Sequence, residues 1–296
     1  MKVFVTGATG FVGSAVVREL LNAGHQVLAL VRSKENANRV TTLGAEALVG
    51  DLNDLNSLRR GAERSEGIIH TAFNHDFSKF KESSENDRRI IEMFGEVLAK
   101  DQRPLIITSA IGLLPRGRVV NESDKAIAGA NPRIASEQAA DAVADQGVRI
   151  SVIRLSPSVH GEGDHGFIPM LINIAKEKSL SVYQDNGMNY WPAIHRKDAS
   201  ILYRLALEKA ALPGTRYHGV AEEGIPFKEI AFAIAKGLHI KAVSKDKVAA
   251  AAHFGSFAHF AAMDIRASSQ QTRLALNWQP KQPDLLTELE SGVYFS

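Results

Sequence analysis

The 296-residue chain contains no cysteine. That excludes disulfides, thiolate catalysis and Cys-ligated zinc. An excess of either charge is also missing, since 35 basic residues face 33 acidic ones for a formal net charge of +2. With no basic stripe interleaved with aromatics, nucleic acid is not an expected partner. No apolar run reaches the roughly 18 residues that a membrane span requires. The first residues enter a strand-like run at Lys2 without a basic leader and apolar segment, which argues against secretion and for a cytoplasmic protein.

What is present begins immediately. Residues 6–13 read Thr6-Gly7-Ala8-Thr9-Gly10-Phe11-Val12-Gly13, directly after the apolar run Val3-Phe4-Val5 and before the helically spaced Ser14–Leu21. Strand, glycine-rich turn and helix in that order make a dinucleotide-phosphate site. Gly7 permits the tight turn, Gly10 lets the backbone approach a pyrophosphate, and Gly13 removes a side chain where helix and strand must touch. The helix N-terminus then points free N–H groups at the phosphates.

Further β-type runs alternate with helical spacing: Gln26–Val31, Ala47–Val49, Gly67–His70, Leu105–Ser109 and Val148–Leu155, with helices at Arg88–Ala99 and Ser136–Ala144 among them. Runs apolar throughout suit strands buried on both faces. The expected class is α/β, a Rossmann-type doubly wound parallel sheet over residues 1–155, followed by a smaller C-terminal substrate lid over 156–296. The lid segments read as helices at Phe167–Lys178, Asp198–Leu207, Phe227–Leu238 and Val248–Ala262, with a strand near Tyr217–Val220 returning to the core.

In such a sheet the ligand lies at the carboxyl ends of the strands. The second strand ends in Val31-Arg32-Ser33-Lys34, without the Asp or Glu that would meet a free ribose 2′-hydroxyl. A guanidinium, a hydroxyl and an ammonium suit the 2′-phosphate of NADP(H), so NAD(H) is the lesser expectation. Asp51-Leu52 follows the third strand; Asp51 can accept from an adenine amino group or cap a helix over Asn53–Gly61. After the fourth strand, Thr71-Ala72-Phe73 let the backbone pass against the cofactor. Thr108 and Ser109 end the fifth, where Ser109 can meet a substrate carbonyl or simply sit in a turn.

The turn, Asp51-Leu52, Ile69–Ala72, Thr108-Ser109, Arg154–Gly166, Trp191–Ala199 and Ser269–Pro280 together resemble the extended short-chain dehydrogenase/reductase superfamily, in its sugar-nucleotide epimerase/dehydratase-like branch and most closely an atypical subgroup. The resemblance implies the Rossmann domain and the lid. It also implies cofactor contacts from Leu155, Pro157, Ser158 and Val159, and a homodimer through the helices at Arg88–Ala99 and Ser136–Ala144.

One departure stands against these agreements. The family's Tyr, followed four residues later by Lys, moves the proton that accompanies hydride transfer. Here Arg133 and Glu137 occupy those places, and no Tyr-x-x-x-Lys occurs anywhere in the chain. An Arg, with a pKa above ~12, is a poor proton donor near neutrality. Glu137 can pair with Arg133 one helical turn away. Substitute donors are His75, on the loop after the fourth strand, His160 and His165 beside a glycine-rich loop, and Tyr190 from the lid. Read as metal ligands, His70, His75 and Asp76, or His160, Asp164 and His165, lack a recognised zinc spacing, so no metal is expected. Phe167 and Trp191 suggest a partly apolar substrate cavity. Three readings follow: an NADP-dependent oxidoreductase acting on a small carbonyl or alcohol, a non-catalytic NADP(H) sensor, and a sugar-nucleotide epimerase or dehydratase-like enzyme.

Overall fold

The computed structural model describes residues 1–99, 101–129 and 131–295. Its first half runs β1 (Lys2–Thr6), α1 (Phe11–Asn22), β2 (Gln26–Val31), α2 (Lys34–Thr42), β3 (Glu46–Val49), α3 (Leu55–Glu63), β4 (Gly67–His70), α4 (Phe80–Leu98), β5 (Leu105–Ala110), β6 (Val119–Val120), α5 (Ile134–Asp145) and β7 (Ile150–Leu155). The second half continues β8 (Ser158–His160), α6 (Phe167–Lys178), β9 (Leu180–Gln184), β10 (Tyr190–His195), α7 (Arg196–Glu208), β11 (Thr215–Gly219), β12 (Glu222–Pro226), α8 (Phe227–Leu238), β13 (Lys241–Lys245), α9 (Lys247–Phe254), α10 (Ala258–Ala261), β14 (Arg266–Ala267), α11 (Gln270–Leu276) and α12 (Leu285–Glu290).

Seven parallel strands form the central sheet in the order β3-β2-β1-β4-β5-β7-β11. Alternate side chains of the same apolar strand serve opposite layers. Val3, Val5, Ile69, Ile106 and Ile153 pack with Val16, Val17 and Leu20 of α1 and Leu202 and Ala206 of α7. Phe4, Ile68, Leu105, Ile107 and Val152 pack with Leu58 of α3, Ile90 and Phe94 of α4 and Ala140 and Val143 of α5. Strand order reverses between β1 and β4, which opens a crevice at their carboxyl ends.

The C-terminal half divides its allegiance. Strand β11 and helix α7 complete the central layers, whereas β12-β10-β8 and β13-β9 form small sheets with α6, α8, α9 and α12 around them. Trp191, Phe227, Phe254 and Phe257 fill the core of that unit, and Phe167 packs 5.8 Å from the Trp191 ring. Phe167 and Trp191 therefore belong to this core and do not line the cavity expected from the sequence. The helix expected over Val248–Ala262 is interrupted at Gly255, whose φ of +57° stops α9. No helix among the described residues is long and apolar enough to cross a membrane.

Candidate functional site

The crevice starts at the turn between β1 and α1. Gly7 has φ +71°, and a Cβ there would lie 2.7 Å from Thr71 Oγ1 and 2.8 Å from the Ala72 nitrogen. A Cβ at Gly13 would lie 2.0 Å from the Gly7 oxygen. Neither position tolerates a side chain. Thr71 fastens the neighbouring strand end by donating to the Thr6 oxygen at 2.8 Å. Helix α1 begins at Phe11 behind Gly10, with no capping side chain and no acidic residue in its first turn. Its first N–H groups, on Phe11, Val12 and Gly13, thus face the crevice without a side-chain acceptor, which suits an anion. A dinucleotide diphosphate fits this backbone cradle.

At the end of β2, Arg32, Ser33 and Lys34 are all exposed. Ser33 caps α2 by accepting from the Asn36 nitrogen at 3.2 Å, which adds a second helix N-terminus beside Arg32. At the end of β3 the expected cap is corrected: α3 is capped by Asp54, not Asp51. Asp51 instead accepts from the backbone and side chain of Asn53, both at 2.9 Å. Asn86 of α4 holds the Leu52 carbonyl at 3.2 Å.

The far end of the crevice is built differently. Thr6 and His70 stand in register on β1 and β4, and Thr6 Oγ1 lies 2.6 Å from His70 Nδ1. The other ring nitrogen, Nε2, is 2.9 Å from Asp87 of α4. Asp87 also accepts from Arg133 at 2.6 Å and from the Ser136 hydroxyl. Arg133 donates further to the Thr108 carbonyl at 3.0 Å, and its guanidinium lies 3.8 Å above the Phe73 ring. Burial by itself would raise the Asp87 pKa, but Arg133, His70 and Ser136 together lower it, so the carboxylate stays charged.

Glu137 does not pair with Arg133 as expected. It accepts from Arg154 of β7 at 2.9 and 3.0 Å and lies 3.4 Å from Arg216 of β11. Again burial opposes and the cations prevail, holding its carboxyl below the usual range. The positions of a Tyr and a Lys are thus occupied by one member each of two separate buried ion pairs.

The expected proton donors and the serine separate in space. Ser109 is almost wholly buried on the α5 side of its strand, and is not an open hydroxyl for substrate. Thr108 faces the opposite layer and bonds Tyr203 at 2.6 Å. That tyrosine is fully buried, and burial raises its pKa, so it does not replace the missing phenol. His160 is corrected from a loop residue to a buried one: it lies in β8, bonded to Glu288 and 3.7 Å from Glu222. Ser158 and Val159 belong to the same strand, reached from Leu155 through Pro157. Tyr190 sits at the start of β10 with Arg266 stacked 5.0 Å over its ring. His75 remains at the crevice mouth, exposed, its ring 5.2 Å from Phe73. Crowding lowers its pKa, and the charges of Arg133 and His165 lower it further.

Sequence reasoning missed the Thr6–His70–Asp87–Arg133 chain. A signal was there: Asp87 occupies the helix face shared with Ile90, Ile91 and Phe94, where an acid needs a buried partner. Of the residues in the two proposed metal sets, His70 is engaged by Asp87, Asp76 accepts from Ser78, and His160 is bonded to Glu288. Among the described residues no group of three His, Asp or Glu could hold a metal ion. The outward face of α4, expected at a dimer contact, carries exposed Lys81, Glu82, Glu85, Arg89, Glu92 and Glu96.

An NAD(P)H-binding family matches residues 7–168. An uncharacterized protein of Schizosaccharomyces pombe is 48% identical over 296 residues, covering 100% of both chains. One from Saccharomyces cerevisiae is 42% identical over 295 residues, covering 99% of each. The crystal structure of a dTDP-glucose 4,6-dehydratase from Streptomyces venezuelae with NAD bound superposes with a TM-score of 0.77 at 18% identity, covering 99% of this chain and 96% of that one.

Proposed function

Because this chain belongs to the NAD(P)H-binding family, within the extended short-chain dehydrogenase/reductase superfamily, we propose that it is an NADP-dependent oxidoreductase of a small carbonyl or alcohol substrate, acting in the cytoplasm. The observation that carries the cofactor choice is the end of β2. Exposed Arg32 and Lys34 flank the capped N-terminus of α2, at the strand end where a carboxylate would stand for NAD. When bound, the nicotinamide ring supplies or accepts the hydride.

The protein's own part is charge and proton handling. Arg133, held by Asp87, Ser136, Thr108 and the Phe73 ring, is a fixed positive charge at the reaction end. It stabilises negative charge on a substrate oxygen without changing protonation state. His75, mostly neutral near pH 7 because its pKa lies below the usual value, is suited to take a proton from an alcohol.

Titration of NADPH and NADH tests the cofactor reading. Arg32→Asp is expected to weaken NADPH about tenfold, roughly 1.4 kcal/mol, and to leave NADH unchanged or stronger. Equal losses for both would overturn the assignment. Turnover against alcohols and carbonyls, with His75→Ala slower by about 10²-fold, tests the chemistry. A second reading, a non-catalytic NADP(H) sensor, is favoured by the pairing of Arg133 and Glu137 with buried partners. Tight NADPH binding with no turnover on any of those substrates would select it.

A further inference from the structure

We infer that Arg196, at the start of α7, is a ligand of the cofactor diphosphate; this rests on the dinucleotide reading above. Arg196 is the first residue of α7, immediately after β10. Its Nη1 donates to the Glu162 carbonyl at 2.8 Å, and its guanidinium lies 4.9 Å from the centre of the Phe11 ring. The loop beneath is shaped for it. Gly161 has φ +135°, and a Cβ there would lie 3.1 Å from Arg196 Cγ and 3.2 Å from Cδ. On the same ring of Phe11 sits His165, 5.8 Å away.

Phe11 is the first residue of α1, the helix whose uncapped N-terminus faces the crevice. A helix N-terminus carries a partial positive charge, so a cation parked beside it is unfavourable unless an anion lies between them. Arg196 forms no ion pair among the described residues. Two independent observations therefore point to an anion: free N–H groups on one side and, on the other, a guanidinium bonded to a carbonyl and a ring but to no carboxylate among the described residues. A diphosphate in the cradle answers both, and a guanidinium matches its oxygens in a bidentate manner. Arg196 is in α7 and touches the glycine loop before α6, so the same contact ties the lid to the occupied cradle.

The test is a titration of the full chain with NADPH, NADH and adenosine 2′-monophosphate, which has no diphosphate. Arg196→Met is expected to weaken both dinucleotides about tenfold and equally, to flatten the salt dependence of their binding, and to leave adenosine 2′-monophosphate unchanged. Arg196→Lys recovers part of the loss. Melting without ligand checks that the variants are folded. Gly13→Val, which fills the cradle, separates the two readings. If it abolishes dinucleotide binding while Arg196→Met binds like the wild type, the cofactor site stands and the role of Arg196 is overturned. If the wild type binds no dinucleotide, both fall together. An equal weakening of adenosine 2′-monophosphate by Arg196→Met would also overturn the assignment, because the effect would then not pass through the diphosphate.

Discussion

The cofactor cradle and the reaction end share the carboxyl edge of one sheet, yet they are made of different material. The cradle is backbone. Gly7 and Gly13 keep side chains out, α1 has no cap, and the groups offered to a ligand are N–H dipoles. The reaction end is side chain. Asp87, Arg133, Glu137 and Arg154 are packed in two ion pairs, with Asp87 and Arg154 only 3% and 2% exposed. A cradle of that kind accepts any diphosphate-bearing partner of the right shape. An interior of charged pairs accepts few substitutions, because each charge there depends on its neighbour. The Tyr and Lys positions are thus filled by residues that hold α5 to α4 and to the sheet.

The comparison breaks most sharply if those pairs are exchanged. Arg133→Tyr with Glu137→Lys respells the family's Tyr-x-x-x-Lys, but places a cation against Arg154 and Arg216 and strips Asp87 of its guanidinium. Denaturant unfolding is expected to show a loss of at least about 3–5 kcal/mol, the range for breaking a buried pair, and no gain in turnover. A stable and faster enzyme would refute the structural role of both pairs. Asp87→Ala should cost about 3–5 kcal/mol alone, and more than Arg32→Asp at the exposed cradle end, which should change stability by under about 0.5 kcal/mol.

A smaller effect sharpens the chemistry. His75 titrates below the ordinary 6.5 because of crowding, then Arg133, then His165. If it is the base in alcohol oxidation, the acid limb of kcat/KM should lie below that value. His165→Asn removes one of the two groups that lower it and should move the limb upward with little change in Tm. An unmoved limb would take His75 out of the proton pathway.

The least effect belongs to the lid. Glu288 contacts His160 and His195, and Glu222 and Asp164 also face His160. Burial alone would raise the Glu288 pKa, yet its histidine partners bring it down to about 2. A lowered carboxyl contributes stability above its unfolded pKa of 4.5, which is lost as pH falls toward 2. His160 has a raised pKa despite burial, because of Glu222 and Glu288. Its contribution is present below the unfolded 6.5 and disappears as pH rises through the folded value. Melting curves should therefore peak between those two unfolded values, and Glu288→Gln should flatten the peak by about 2–4 °C.

How much of this could be read in the chain depended on range. Strands β2 and β4 and helices α6 and α8 occur at the expected residues, because alternation of apolar runs and helical spacing is a local pattern. Helix α4 begins eight residues before the expected Arg88, at Phe80, since its first turns are polar and packed through Ser83, Ser84 and Asp87 rather than through large apolar groups. The partners of Arg133 and Glu137 lie beyond any local pattern for a related reason. An Arg four residues before a Glu looks like a pair on one helix, whereas Arg133 and Glu137 point to partners 46 and 17 residues away in sequence.

By itself, the sequence determined the doubly wound core, the diphosphate cradle, the basic end of β2 and the loss of the Tyr and Lys. These rest on backbone conformation and nearest neighbours, which a short window specifies. Only the tertiary structure decided that Ser109 and His160 are buried, that Arg133 belongs to Asp87 and Glu137 to Arg154, and that Arg196 reaches Phe11. Those outcomes depend on which strands and helices meet, and a charge leaving water selects its partner from whatever the packed elements bring within reach.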